Sequence, residues 1–307
     1  MIYILHPSAG AEWAQQLQQA LPDRTIAAAP QPVDRRAVRY LVCWKPAAGE
    51  LAGFSGLHAI FATGAGIDQL LSRDDLPADV PLIRLTDAGM AQQMLEYVLF
   101  GVLRYQRDMD HYAQQQDAAL WQTRPPRLAS ATRIGILGLG VIGGAVAQGL
   151  ARLGYPVSGW SRTARHFDGV DSLTGPQGLD ALLGRSDILV NILPNTAETA
   201  GLLNAQRLRQ LPKGAAIINA GRADQLDLAA LVDLIDKGHL RGAQLDVFPA
   251  EPLASDSPLW HHPKLLLTPH IAAATLIPES ARQIADKLAA LEAGRPVAGL
   301  VNRSRAY

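Results

Sequence analysis

Three residues able to hold an anion and move a proton each stand a few positions beyond a short apolar run. Arg222 follows Asn219-Ala-Gly, Glu251 follows Asp246-Val-Phe-Pro-Ala, and His270 follows Thr268-Pro. The runs that lead into them, Ala215–Asn219, Ala243–Val247 and Leu265–Thr268, read as strands. Ligands of an open α/β sheet bind outside the C-terminal ends of its strands, so one crevice is expected to collect all three side chains. Alone, each has an ordinary reading as a surface charge, a solvated glutamate or a turn histidine. Together, beside a nicotinamide, they supply what reduction of a 2-oxo acid needs. The cation holds the substrate carboxylate and polarises the carbonyl, the imidazolium gives the proton, and the anion keeps the ring charged.

A nicotinamide is expected because Ile134-Gly-Ile-Leu-Gly138-Leu-Gly140-Val-Ile-Gly143 places GxGxxG directly after a strand and at the opening of a helix. Gly138 permits the tight turn, Gly140 lets a pyrophosphate approach the backbone, and Gly143 lets helix and strand pack closely. The phosphates then sit on N–H groups at the helix N-terminus, at Val141 and Ile142. An acidic residue about 20 positions on usually bonds the ribose 2′-hydroxyl. Here the strand Val157–Trp160 ends in Ser161-Arg162-Thr163. A guanidinium flanked by hydroxyls holds a 2′-phosphate that a carboxylate would repel. NADPH is therefore the expected cofactor and NADH the weaker alternative.

The elements that must position these residues fall in two series. Strand-like runs at Ile2–Leu5, Tyr40–Trp44, Leu57–Ala62 and Leu82–Leu85 precede a long helical pattern from Gln92 to about Tyr112, which Pro125-Pro126 follows. The second series adds Arg133–Leu137, Val157–Trp160 and Ile188–Ile192 to the three strands above, with helical segments between most of them. That predicts a doubly wound parallel sheet of at least six strands. A last helix, about Pro278–Ala293, puts Ile277, Ala281, Ile284, Leu288 and Leu291 on one stripe, which must be buried against the first series.

Composition narrows the partners. The 28 Lys and Arg balance 28 Asp and Glu across 307 residues, which argues against a nucleic acid. No apolar stretch reaches the length of a membrane span, and the start carries no signal-peptide pattern, so the expected setting is the cytoplasm. The single Cys43 excludes an internal disulfide framework and reads as a small core residue. His261-His262 has no nearby carboxylate or cysteine to complete a ligand set, so no metal is expected.

Five segments carry a family resemblance: Gly138–Gly143, Leu193-Pro-Asn-Thr-Ala-Glu-Thr199, Asn219-Ala-Gly-Arg222, Asp246-Val-Phe-Pro-Ala-Glu-Pro252 and Thr268-Pro-His270. They resemble the D-isomer-specific 2-hydroxyacid dehydrogenases over nearly the whole chain. Gly64-Ala-Gly-Ile-Asp68, Ala88–Tyr97, Trp160-Ser-Arg-Thr163 and Ser257–Pro263 look most like that family's bacterial glyoxylate/hydroxypyruvate reductase A group. The resemblance implies Arg222 as the substrate-binding arginine, His270 as acid/base and Glu251 as its carboxylate partner. It implies cofactor contacts at Leu193, Pro194 and Ala220, with Asp246 helping to hold the nicotinamide end. It also implies that the amides of Ala65 and Gly66 bind the substrate carboxylate, which glycines flanking an alanine after a strand suit as an anion nest. Trp44 is implied to line the substrate site, and Trp121 to reach the partner's site in a homodimer.

The implied fold is α/β with two domains. A doubly wound Rossmann domain (99–275) is inserted in a smaller flavodoxin-like substrate domain (1–98 plus 276–307). One departure is visible: the family often writes Ala-Arg-Gly around the arginine, where this chain has Gly221-Arg222-Ala223. The implied activity is NADPH-dependent reduction of small 2-oxo acids, glyoxylate to glycolate and hydroxypyruvate to glycerate. Two rivals stand beside it: a reductase for another 2-hydroxy acid, and a non-catalytic dinucleotide-sensing protein on the same fold.

Overall fold

A computed structural model of the chain describes residues 1–64 and 66–303. In chain order the first series comprises β1 (Ile2–Leu5), α1 (Gly10–Ala20), β2 (Ile26–Ala28), β3 (Tyr40–Cys43), β4 (Ala59–Ala62), α2 (Asp68–Leu71) and β5 (Leu82–Arg84). These strands form one parallel sheet in the order β2-β1-β3-β4-β5, the flavodoxin-like order. β1, β3 and β4 are buried along their whole length, as the continuous apolar runs Ile-Tyr-Ile-Leu, Tyr-Leu-Val-Cys and Ala-Ile-Phe-Ala require. The edge strand β2 was not foreseen: Ile26-Ala-Ala is short and only its middle residue is buried. Cys43 lies in the core as expected, and burial pushes its thiol up to about 12.

Then come α3 (Met90–Gln106), α4 (Met109–Asp117), β6 (Ile134–Leu137), α5 (Val141–Arg152), β7 (Val157–Trp160), β8 (Val170–Leu173), α6 (Gly175–Arg185) and β9 (Ile188–Asn191). α7 (Ala205–Leu208), β10 (Ala216–Asn219), α8 (Leu228–Asp236), β11 (Gly242–Leu245) and β12 (Leu265–Leu267) complete the series, and α9 (Ile277–Glu292) follows. The second sheet is parallel throughout, in the order β12-β11-β10-β9-β6-β7-β8. Its strand order reverses between β6 and β9, the switch point at which such sheets bind dinucleotides. Alternation along the strands separates two cores. Ile134, Ile136, Val190 and Ile218 face α3 and α5, whereas Leu137, Leu189, Ile217 and Leu245 face α6 and α8. β8 escaped the sequence reading because Val-Asp-Ser-Leu is an edge strand with no fully buried residue.

The single helix expected from Gln92 to Tyr112 is two helices. Asp108 breaks it with a left-handed backbone, φ +57°, before α4 begins. Its carboxylate, almost fully buried, accepts from Arg127 at 3.0 Å and from Arg241 at 2.6 Å, while Arg241 also grips Asp110 at 2.6 Å. Those partners lie 19 and 133 residues away from Asp108, so no local pattern announces the break.

The chain folds as two compact units, one of Met1–Met90 with the segment from Thr275 on, the other of Ala91–Ala274. The expected boundary after residue 98 falls inside α3. Met94, Val98, Val102 and Tyr105 of that helix pack into the second unit's core, which carries it into that unit. In the first unit α9 packs on α1 with Ala281, Ile284 and Leu288 buried. Tyr40 and Arg24 both donate to Glu292 near its end.

Lys287 of α9 is buried and donates to the carbonyl of Arg84 at 2.5 Å. Burial, helped by the neighbouring Arg84 charge, brings its ammonium down from 10.5 to about 8. Between those values the unfolded chain binds the extra proton, so stability gains from this group as pH rises from about 8 to 10.5. Denaturation of wild type and Lys287→Met across that range should show the wild type gaining relative to the variant. A difference that stays flat with pH would contradict it.

Candidate active site

Arg222, Glu251 and His270 all belong to the second unit, on chain that leaves the adjacent strands β10, β11 and β12 at their C-terminal ends. His270 and Glu251 meet directly, Nδ1 to Oε2 at 2.8 Å, on half-exposed side chains. The other Glu251 oxygen accepts from the amide of Phe248 at 3.1 Å, which fixes the carboxylate against its own loop. The carboxylate thus engages Nδ1 and orients the ring, and Nε2 takes no part in that bond.

The loop that carries His270 is held by Asp246, which is 1% exposed. Asp246 Oδ1 accepts from the Thr268 hydroxyl at 2.6 Å and from the Ile271 amide at 2.9 Å, and Oδ2 accepts from the Ala272 amide at 2.8 Å. The His270 amide donates to the Asp246 carbonyl at 3.0 Å. His270 itself adopts φ +57°, a conformation that costs a non-glycine residue of order 1–3 kcal/mol and persists only where neighbours fix it. Tyr97 of α3 extends the chain of bonds, its hydroxyl 2.7 Å from Thr268 Oγ1. Burial pushes that phenol up to about 12, so it remains a neutral link. Sequence reasoning missed Tyr97 and Thr268. The hydroxyl just before Pro269 was the available signal.

Around the glycine loop the structure fits a dinucleotide. Gly138 has φ +104°, and a Cβ there would press on the backbone of Ile192 and Leu193 at 3.0–3.3 Å. A Cβ on Gly143 would strike the Gly138 carbonyl at 1.8 Å, so helix and turn meet only through glycine. A Cβ on Gly140 would meet nothing within 4 Å, leaving open room over the N-terminus of α5. The first turn of that helix, with Val141 and Ile142, offers N–H groups that have no acceptor within the helix. Leu193 and Ala220 are buried and Pro194 exposed, on the loops that leave β9 and β10. Beyond the end of β7, the exposed Arg162 lies 3.9 Å from Glu198, and the Ser161 hydroxyl donates to the Thr163 carbonyl at 2.8 Å.

Trp44 and Gly66, expected at the substrate, lie in the first unit. Trp44 is half-buried after β3, its ring against Gly64, where a Cβ would approach to 2.4 Å. Gly66 follows β4 and is partly exposed, and Ala65 lies outside the described residues. His262 is occupied locally, with Asp236 at 3.1 Å and the Lys264 amide at 3.2 Å. Among the described residues no three His, Cys, Asp or Glu side chains converge as a metal site would require.

Comparison with known proteins decides the family. The NAD binding domain of the D-isomer specific 2-hydroxyacid dehydrogenases matches residues 99–272. Glyoxylate/hydroxypyruvate reductase A of Salmonella newport (strain SL254) is 40% identical, over 100% of this chain and 99% of that protein. The chain belongs to the D-isomer specific 2-hydroxyacid dehydrogenases. Solved structures of the family agree in fold. The member from Xanthobacter autotrophicus Py2, in complex with NADPH and MES, aligns at a TM-score of 0.96 with 41% identity, over 100% of this chain and 99% of that one. The NADPH-dependent glyoxylate/hydroxypyruvate reductase of Sinorhizobium meliloti, in complex with NADP and sulfate, aligns at 0.92 with 32% identity and the same coverage. The expected family and two-part α/β fold are borne out, and no helix among the described residues is long and apolar enough to cross a membrane.

Asp246→Asn tests the hold on the dehydrogenase's histidine loop. One acceptor oxygen becomes an NH₂ facing a donor, so a buried bond is lost without replacement. Urea denaturation should show a loss of about 1–3 kcal/mol. An unchanged midpoint would contradict the arrangement.

Proposed function

We propose that the chain is an NADPH-dependent reductase of small 2-oxo acids, converting glyoxylate to glycolate and hydroxypyruvate to glycerate. The observation that carries this reading is the His270–Glu251 pair beside the strand end that bears Arg222. The relatives with matching folds, one solved with NADPH and one named as acting on glyoxylate and hydroxypyruvate, support it. A bound NADPH supplies the hydride. The guanidinium of Arg222 grips the substrate carboxylate and polarises the carbonyl. His270 donates a proton from Nε2 to the oxygen that becomes the alcohol, and Glu251 stabilises the charged ring from its other side.

Gly138, Gly140 and Gly143, with the amides of Val141 and Ile142, are proposed to cradle the pyrophosphate. Ser161, Arg162 and Thr163 are proposed to hold the 2′-phosphate, and Leu193, Pro194 and Ala220 to line the cofactor. Asp246, with both oxygens committed to its loop, serves the nicotinamide end by fixing that loop. In the first unit Gly66 and Trp44 are proposed to contact the substrate, because they sit at strand C-termini, the ligand-binding end of such sheets. The working form is proposed to be a cytoplasmic homodimer. Leu120, Trp121 and Leu128 are 53%, 98% and 77% exposed on one stretch, an apolar surface that a second copy would cover.

Turnover of NADPH with glyoxylate and hydroxypyruvate tests the reading directly. Arg222→Gln should lose most of that reduction while NADPH binding, followed by fluorescence, stays near wild type. Near-normal kcat/KM in the variant would remove Arg222 from the mechanism.

Cofactor choice is tested at Arg162. A hydrogen bond to a charged group contributes roughly 1.5–3 kcal/mol, which is about 10- to 100-fold in discrimination. Arg162→Ala should lower kcat/KM for NADPH by that order and leave the NADH value nearly untouched. Equal use of both cofactors by the wild type would overturn the assignment.

A further inference from the structure

The strand ends of β9 and β10 carry a buried amide network that the reaction chemistry does not use. Both strands are apolar until their last residue, Ile-Leu-Val-Asn191 and Ala-Ile-Ile-Asn219, and the two asparagines are register partners. Asn191 Nδ2 donates to Asn219 Oδ1 at 2.9 Å and to Gln225 Oε1 at 2.7 Å. All three side chains are at most 1% exposed. Burying three amides is costly unless each is satisfied, so their arrangement is dictated by what they bond.

Gln225 is the member that faces both ligands' loops. Its Oε1 accepts from the amide of Arg222 at 3.1 Å as well as from Asn191, so both lone pairs are taken. Its Nε2 points the other way, donating to the carbonyls of Pro194 at 2.7 Å and Leu193 at 3.2 Å, with Thr199 Oγ1 at 3.4 Å. One planar amide therefore joins the backbone of the substrate-binding arginine to the loop proposed to line the cofactor.

The neighbouring glycine gives an independent sign of the same fit. A Cβ at Gly221 would lie 2.7 Å from Gln225 Oε1, 3.0 Å from Asn191 Nδ2 and 3.1 Å from the Leu193 carbonyl. An alanine before the arginine, as the family often has, would push this amide away. The order Gly221-Arg222-Ala223 is thus matched to a glutamine at 225.

We infer that Gln225 is a positioning residue that couples the cofactor loop at 193–194 to Arg222, so that an occupied cofactor site stiffens the substrate-binding arginine. This rests on the roles proposed above for Arg222 and the 193–194 loop. Gln225→Met keeps the volume and removes every bond. Gln225→Glu keeps an acceptor for the Arg222 amide but sets an oxygen against the Leu193 and Pro194 carbonyls.

Both variants are assayed as the intact enzyme, with Tm measured alongside. Gln225→Met should raise the glyoxylate KM by about tenfold and weaken NADPH binding several-fold, the scale of one or two lost hydrogen bonds. Gln225→Glu should weaken NADPH binding more than it raises the glyoxylate KM. A purely structural glutamine would lower Tm in both variants and leave both constants at wild-type values in the folded protein, and that result overturns the inference. Arg222→Gln, run in parallel, separates the two failures. If it keeps full activity, the role of Arg222 is wrong; if it is inactive while Gln225→Met has wild-type constants, the coupling is wrong. Wild-type hydrogen exchange makes the test independent of either variant's folding. Saturating NADP⁺ alone should slow exchange of the Arg222 amide about tenfold, by the stiffening of a local opening. Unchanged exchange overturns the coupling.

Discussion

A carboxylate taken out of water must find donors, and Asp246 finds three of them on one loop. That requirement shapes the site. The Thr268 hydroxyl and the amides of Ile271 and Ala272 close on the two oxygens, and the backbone between them turns through the left-handed conformation of His270. The histidine is presented because the carboxylate beneath it has to be satisfied. Its strained φ is maintained by bonds that would each leave a buried charge short of a partner if broken. From there Nδ1 meets Glu251, and Nε2 is the nitrogen that the proposed reduction would use.

The sheet provides the same service on a larger scale. β10, β11 and β12 run side by side and parallel, so the segments that leave them emerge at one end. Reversal of strand order between β6 and β9 opens the crevice beside them, with Gly138 against Ile192 and Leu193. Chemistry therefore sits on loops, but on loops whose first residues are fixed by buried strands. The amides of Asn191, Asn219 and Gln225 carry that fixation one step beyond the last ladder bond.

What the sequence made legible were features with a local period or spacing. Apolar runs marked the central strands, the glycine spacing marked the cofactor turn, and the stripe on α9 required the burial that the first unit gives it. Edge strands β2 and β8 were hidden because half-exposed chain has no apolar run to show. The break at Asp108 depends on arginines far along the chain, and no window around residue 108 contains them. Side-chain bonding at the site was equally hidden. Gln225 and Tyr97 are ordinary residues in the sequence, and only the fold shows that one holds Arg222 and the other holds Thr268.

The central claim is that the loop fixed by Asp246 delivers His270 as the proton donor of a reduction. Single-turnover oxidation of bound NADPH by glyoxylate, followed by its absorbance in wild type and His270→Asn, tests it most directly. Asparagine can occupy the space and accept a bond from solvent, but it has no proton to give at neutral pH. The account predicts a fall of about 10²- to 10⁴-fold in the transfer rate, the usual contribution of a positioned general acid, with cofactor binding retained. A rate within a few-fold of wild type would show that the proton comes from elsewhere and that the loop serves only the fold.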